Sequence, residues 1–216
     1  MKMKTDFSCI VFSGLDGSGK STQAKLLEDF FQKYNISYNY IWLRSPNQLS
    51  IPLIILFKLL RISHSKKTKS GKMIGVTNLE NHKIFQKIWK KTLFSDLKFV
   101  IKYKIEPLLT TSKIPIIDRF IIDTLVDLAI DTNDDSVIDE LGNQFLSLLP
   151  KYSKLFFLDI TPQLSYERNL EESVSILERR QRLYYKISKY VNLIIIDGTK
   201  SIEEIHKQII TECKLV

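Results

Sequence analysis

Along the chain, short runs of β-branched and aromatic residues alternate with longer stretches whose apolar positions recur every three or four residues. Five runs are nearly continuous in hydrophobicity, at residues 7–12, 38–43, 114–117, 155–158 and 193–196. Such a run fits a strand covered on both faces, and a helix between successive strands supplies the crossover that parallel pairing requires. The pattern predicts an α/β fold, a five-stranded parallel sheet flanked by helices. Helices are expected over residues 21–34, 51–61, 79–109 with one break, 122–130, 137–149, 163–169, 176–191 and 202–214.

Two segments carry a less regular pattern. Residues 49–60 (LSIPLIILFKLL) are strongly apolar but contain Pro52 and Lys58, and they fall short of the roughly 18 residues that span a bilayer. They read as a buried or partner-covered helix. Residues 64–72 (HSKKTKSGK) are polar, basic and glycine-containing, with no aromatic residue interleaved for base stacking, and read as a solvated, mobile loop.

Length and composition narrow the class. A chain of 216 residues fits one domain, here residues 1–216, with a core large enough to exclude disorder as the main state. Only 7 glycines and 6 prolines, without a repeating period, exclude collagen-like and solenoid architectures. Two cysteines, Cys9 and Cys213, cannot build a disulfide framework and suit a reducing compartment. The basic start is followed by an apolar run too short for a signal sequence, so a cytoplasmic protein is expected. The net charge of +8 calls for an acidic partner: nucleic acid, an anionic membrane surface or a small phosphorylated ligand.

The most specific chemistry follows the first predicted strand. Gly14, Leu15, Asp16, Gly17, Ser18, Gly19, Lys20, Ser21 and Thr22 satisfy G-x-x-x-x-G-K-[ST] between a strand and a helix. Glycines let successive backbone N–H groups point inward, and the new helix adds its positive end. Lys20 would meet the β and γ phosphates and Ser21 would ligate Mg²⁺, so a nucleoside triphosphate, ATP, is the expected ligand. No N-K-x-D guanine motif accompanies the loop, and no apolar strand ends in Asp-Glu. The third strand instead ends in Asp118-Arg119-Phe120, a carboxylate placed to position Mg²⁺ and an arginine placed to clamp a second phosphate. The second strand runs into Arg44-Ser45-Pro46, where the proline forces an extended turn at the same sheet edge. Two arginines on neighbouring strand ends favour a monophosphate acceptor, whose oxygen is already ionised and needs cations rather than a base. Later, Leu177-Glu178-Arg179-Arg180-Gln181-Arg182 follows Arg168; Arg179, Arg182 and Lys186 share a helical face and could form a cationic lid over the transferring phosphoryl group.

Together these residues resemble the thymidylate kinase family of nucleoside monophosphate kinases over nearly the whole chain. The similarity is carried by FSGLDGSGKST, IIDRF, FFLDITPQLSYER, LERRQRLYY and IIIDGTKSIEEIHKQI. The resemblance implies a P-loop fold with a short mobile lid at about residues 168–182, and Mg²⁺-dependent phosphate transfer from ATP to a deoxynucleoside monophosphate, dTMP first. It implies Asp16 at the acceptor's sugar hydroxyl, Arg44 and Arg119 at its phosphate, and Arg168 with Arg179 and Arg182 at the triphosphate. Gly198, Thr199 and Lys200 would line the adenine, and Phe94 is the candidate for the aromatic that stacks on the base. Asp123 stands where many members carry a small hydroxyl residue, and Leu97, after Asp96, where they carry an arginine. The family commonly dimerises, so a homodimer is expected, with neither nucleic acid nor membrane as partner. A kinase for another pyrimidine monophosphate, for a nucleoside or small alcohol, or a degenerate ATP-binding module are the alternatives.

Overall fold

The computed structural model describes residues 6–44, 49–69, 71, 73–111 and 113–215. In chain order they form β1 (Ile10–Gly14), α1 (Lys20–Lys33), β2 (Tyr38–Trp42), α2 (Ser50–Leu59), β3 (Ser63–Lys67), β4 (Met73–Thr77) and α3 (Lys83–Val100). A π-helical stretch (Ile101–Ile105) then leads into α4 (Glu106–Thr110), β5 (Ile114–Asp118), α5 (Ile121–Thr132) and α6 (Val137–Leu146). The chain closes with β6 (Lys154–Asp159), α7 (Pro162–Asn169), α8 (Val174–Ile187), β7 (Leu193–Asp197) and α9 (Ile202–Glu212).

The expected five-stranded sheet is present, ordered β2-β5-β1-β6-β7 with every pairing parallel. Side chains alternate between its faces, and the apolar runs fill both. Val11, Ile117 and Phe157 join the core beneath α3, α5 and α8, while Ile10, Phe12, Ile116 and Phe156 face α1 and α9. The edge strand β2 departs from the two-faced expectation, since Asn39, Tyr40 and Trp42 are exposed. The first strand lies at the centre, where the strand order reverses, and opens a crevice at the carboxyl ends of β1, β5 and β2.

The long helical pattern breaks once, as its sequence predicts. Pro107 sits in the first turn of α4, lacks an N–H, and the ladder shifts to π geometry just before it. The loop expected over residues 64–72 is instead an antiparallel hairpin, β3 against β4, registered Ser63 to Thr77 and Lys67 to Met73. β3 (SHSKK) is polar with exposed lysines, and β4 (MIGVT) is apolar but only half-buried and interrupted by Gly75, so neither reads as a strand covered on both faces. The turn expected at Ser45-Pro46 lies outside the described residues.

Helix α2 forms where its pattern places it but buries only Ser50 and Phe57; Leu59 is 76% exposed. Its start is held by fully buried Asp96 of α3, whose carboxylate accepts bonds from the Leu49 N–H (2.6 Å), the Ser50 N–H (3.0 Å) and the Ser50 hydroxyl. Removing that acceptor in Asp96→Ala should cost about 2–4 kcal/mol, since bonds to a charged group are among the stronger ones. Urea unfolding checks this, with Asp96→Asn expected between the variant and the parent chain.

Candidate active site

The glycine-rich turn joins β1 to α1, and geometry dictates its composition. A Cβ on Gly14 would lie 2.7 Å from the Leu158 carbonyl of the adjacent strand. Gly19, the residue before α1, adopts φ of 91° with open space around it, so backbone conformation rather than crowding selects glycine. The Lys20 ammonium, fully buried, folds back onto the Gly14 and Leu15 carbonyls (3.0 and 2.7 Å) and the Ser18 hydroxyl (3.3 Å). Burial pulls its pKa down to about 8, against the pull of Asp123 and Asp118.

Beside it, the Ser21 hydroxyl donates to Asp118 Oδ2 (2.6 Å), and the Tyr40 hydroxyl donates to the same oxygen (3.2 Å). Asp118 Oδ1 is buried with no hydrogen-bond partner, and burial pushes the carboxyl up. An orphaned carboxylate oxygen next to a serine hydroxyl is a hard-oxygen donor pair. It suits Mg²⁺, which takes one or two protein oxygens and completes its shell with phosphates and water. Among the described residues no cluster of three or more metal-ligating side chains exists, so a protein-only cage is not on offer.

Three arginines meet across the crevice. Arg119 takes a left-handed conformation (φ 66°) directly after β5, which turns its guanidinium onto Asp16, and it lies 3.5 Å from Asp123. Arg44, at the end of β2, lies 3.6 Å from Asp16 and 3.7 Å from Asp127. Arg180 of α8 donates to Asp127 (2.6 Å) and grips Glu172 in a two-pronged bond (2.6 and 2.9 Å). Burial would push Asp127 up, yet the guanidiniums of Arg180 and Arg44 outweigh it and hold the carboxyl below its ordinary value.

The sequence expectations sort as follows. Asp16, Gly17, Gly19, Lys20, Ser21, Thr22, Arg44, Asp118 and Arg119 come together around one cavity of about 440 Å³. Arg168, exposed on α7, donates to the Gly17 carbonyl (2.9 Å) and so borders the loop. Gly198 is pressed against Ile160 and Asp159, and Thr199 bonds Asp197, which forms a tight turn after β7.

Three expectations need correction. Arg179 turns away from the cavity to Asp135, Asn133 and the Ala129 carbonyl, and Lys186 turns to Asp139. Arg182 is exposed and lines neither this cavity nor its neighbour, so the three cations do not converge on a phosphate. The segment 168–182 itself spans the end of α7, four connecting residues and the first turns of α8. Asp123 is buried at 3% exposure, accepting from Ser13 (2.7 Å), the Phe120 N–H (3.1 Å) and Tyr184 (2.9 Å); it supports Arg119 from behind rather than lining the cavity. Phe94 packs on Phe145, ring centroids 5.3 Å apart, and belongs to the core.

Sequence reasoning passed over Arg180, although a signal existed. It stands three residues after Leu177 and four before Tyr184, inside the apolar stripe of α8, where an arginine must find buried partners. Also unforeseen is a second cavity of about 450 Å³ that shares Asp16, Trp42 and Arg44 with the first. Trp89, Asp127 and Asp131 form its inner wall, and Ile74 and Thr77 of the hairpin form another side. Lys69, beyond β3, donates to the Tyr166 hydroxyl of α7 (2.7 Å), tying the hairpin across to the phosphate-loop side.

A thymidylate kinase family model matches residues 58–209. The chain is 25% identical over 220 residues to a thymidylate kinase of Thermoanaerobacter sp. (strain X514), covering 95% of this chain and 96% of that one. A probable thymidylate kinase of Sulfurisphaera tokodaii is 27% identical over 216 residues, covering 96% of each. One of Methanocaldococcus jannaschii is 24% identical over 204 residues, covering 93% of each. The family model begins at residue 58, beyond the phosphate loop, so the loop and the match are separate observations that agree.

The two arginines that sequence treats alike should behave differently. Arg180→Ala leaves Glu172 without its arginine and Asp127 with Arg44 alone, and should cost up to about 3–5 kcal/mol in chemical denaturation, as for a broken buried pair. Arg179→Ala should cost less than about 1 kcal/mol and leave turnover near normal.

Proposed function

The chain belongs to the thymidylate kinase family and is a nucleoside monophosphate kinase, and from that premise we propose that it phosphorylates dTMP to dTDP with ATP and Mg²⁺. The observation that carries this reading is the pair of cavities meeting at Asp16 and Arg44, one floored by the phosphate loop and the other large enough for a nucleoside. In the reaction an ionised oxygen of the acceptor phosphate attacks the γ-phosphorus. The bond to the β,γ-bridging oxygen breaks, its electron pair stays on ADP, and the nucleoside diphosphate leaves.

Each residue then has a task. Lys20 leaves its loop carbonyls for the β and γ phosphates, and the N–H groups of residues 17–22 cradle them. Ser21 and Asp118 would hold Mg²⁺, which would neutralise charge on the phosphate oxygens. Arg119 and Arg44 hold the acceptor phosphate, and Asp16 both sets their position and faces the sugar. Arg168 borders the triphosphate, and Gly198, Thr199 and Lys200 line the adenine. No carboxylate base is required, because the attacking oxygen carries no proton to remove.

The remaining assignments belong to the same reading. Residues 1–216 act as one domain. No helix among the described residues is long and apolar enough to cross a membrane, and both cysteines are free and buried, which suits a cytoplasmic enzyme. The exposed apolar residues Ile51, Ile55 and Leu59 of α2 and Ile84 of α3 support a homodimer through these helices. Sedimentation should give twice the monomer mass, and Ile55→Glu with Leu59→Glu should return the monomer.

A coupled ADP assay with dTMP, dUMP, UMP, CMP, dCMP and dGMP should show strong Mg²⁺-dependent stimulation by dTMP. Stimulation by none of them would sink the reading, and thymidine outperforming dTMP would transfer it to a nucleoside kinase. Lys20→Ala should lower kcat by a factor on the order of 10³, the loss expected when phosphoryl charge is left unmet. Arg44→Ala should raise KM for the monophosphate and leave that for ATP nearly unchanged; the reverse pattern would exclude Arg44 from the acceptor side.

A further inference from the structure

Helix α5 carries carboxylates at four-residue spacing, Asp123, Asp127 and Asp131, which places them on one face about 6 Å apart along its axis. Their partners change along the helix. Asp123 pairs with Arg119 at 3.5 Å, Asp127 with Arg44 at 3.7 Å and Arg180 at 2.6 Å, and Asp131 Oδ2 accepts from the indole N–H of Trp89 at 3.1 Å. Asp131 thus stands about 12 Å beyond Asp123, in the wall of the second cavity and outside the first. Leu93, Ile74 and Ile54 line the same chamber, giving it apolar surface beside its polar groups, the mixture typical of a small-molecule site.

The carboxyl of Asp131 differs from its two neighbours because no cation among the described residues pairs with it within ion-pair distance. Burial pushes it up to about 8, and the charge on Asp127 one turn away adds to the push; Trp89, Arg180 and Arg44 pull the other way. At neutral pH it is therefore protonated. A protonated carboxyl presents an O–H donor beside a carbonyl acceptor, and the Trp89 N–H on Oδ2 makes that oxygen the acceptor and leaves the proton on Oδ1. The complement of such an edge is a ring N–H next to a carbonyl.

We infer that Asp131 is a specificity-determining residue of the acceptor chamber, pairing its carboxyl with the N3–H and C4 carbonyl of a pyrimidine base that lies beside Trp89. The inference rests on the reading of the acceptor as a nucleoside monophosphate whose phosphate is held by Arg44 and Arg119. Those two contacts fix one end of the acceptor, and the spacing along α5 brings the other end to Asp131. A site built to exchange both bonds rejects an occupant that leaves either partner buried and unmet.

The test is the pH dependence of KM for dTMP at saturating ATP between pH 7 and 9, in the parent enzyme, Asp131→Asn and Asp131→Leu. In the parent, KM should rise on the order of tenfold across this window as Asp131 loses its proton. Asn keeps a donor and an acceptor at every pH, so its KM should start low and stay flat. Leu should show a KM raised on the order of tenfold or more throughout, with KM for ATP unchanged. The other charged groups lining the chamber, Asp16, Arg44, Lys58, Asp127, Glu171, Glu172 and Arg180, are the same in all three proteins. So is Lys20, which titrates in this range, and the base's own N3–H ionises above it. A flat parent profile, or a rise that persists in Asn, overturns the inference. If Leu does not fold, the Asn profile alone decides. Absence of any monophosphate-dependent ADP formation in the parent removes the acceptor reading and the inference together, whereas dTMP turnover with a pH-independent KM removes the inference alone.

Discussion

Convergent positive charge is the constraint on which this molecule's organisation depends. Arg44, Arg119 and Arg180 and the ammonium of Lys20 gather in one crevice, and without an acidic ligand they would repel one another. Carboxylates resolve the conflict. Asp16 is shared by Arg119 and Arg44, Asp127 by Arg44 and Arg180, and Asp123 stands behind Arg119. The arginines are thereby held in fixed positions before any phosphate arrives, which lowers the cost of ordering them when one does. The loop carbonyls do the same for Lys20.

This explains why α5 is so heavily buried on a face that carries three aspartates. Its apolar residues Ile121, Ile122, Leu125, Val126 and Leu128 fix the helix against the sheet, and the carboxylates then have no freedom but to meet partners brought by β2, β5, α3 and α8. Tyr184 bonds Asp123 from α8, so α8, which also delivers Arg180, is keyed to the same helix. The net charge of +8 takes on a more local meaning in this light. Some cations face the crevice, others such as Arg179 and Lys186 tie α8 to the turn after α5, and the hairpin lysines lie at the surface.

The hairpin and helix α2 give the second chamber its outer side. Helix α2 is fastened at its start by Asp96 and further along by Phe57, which packs on Phe85 and Trp89, while the hairpin is held by backbone pairing and the Lys69 bond to Tyr166. Their position therefore rests on a few anchors, polar ones at Asp96 and Lys69 and an apolar one at Phe57, rather than on two covered faces as in the sheet.

The sequence by itself determined the five strands, their parallel connection, the phosphate loop and the cations at the ends of β2 and β5. Each of these is local: an apolar run long enough to be covered on both faces, a glycine spacing that only one turn satisfies, an arginine next to a strand end. Tertiary structure alone decided which arginine of the Leu177–Arg182 run enters the site, because adjacent helical residues point about 100° apart and only the packing of α8 selects between Arg179 and Arg180. It decided likewise that Phe94 belongs to the core, that Asp123 supports rather than contacts, and that a polar stretch becomes a hairpin. Those outcomes depend on partners far away in sequence, Asp135 for Arg179, Asp127 for Arg180, Phe145 for Phe94 and β4 for β3, and a one-dimensional pattern holds no record of which distant residue will be the neighbour.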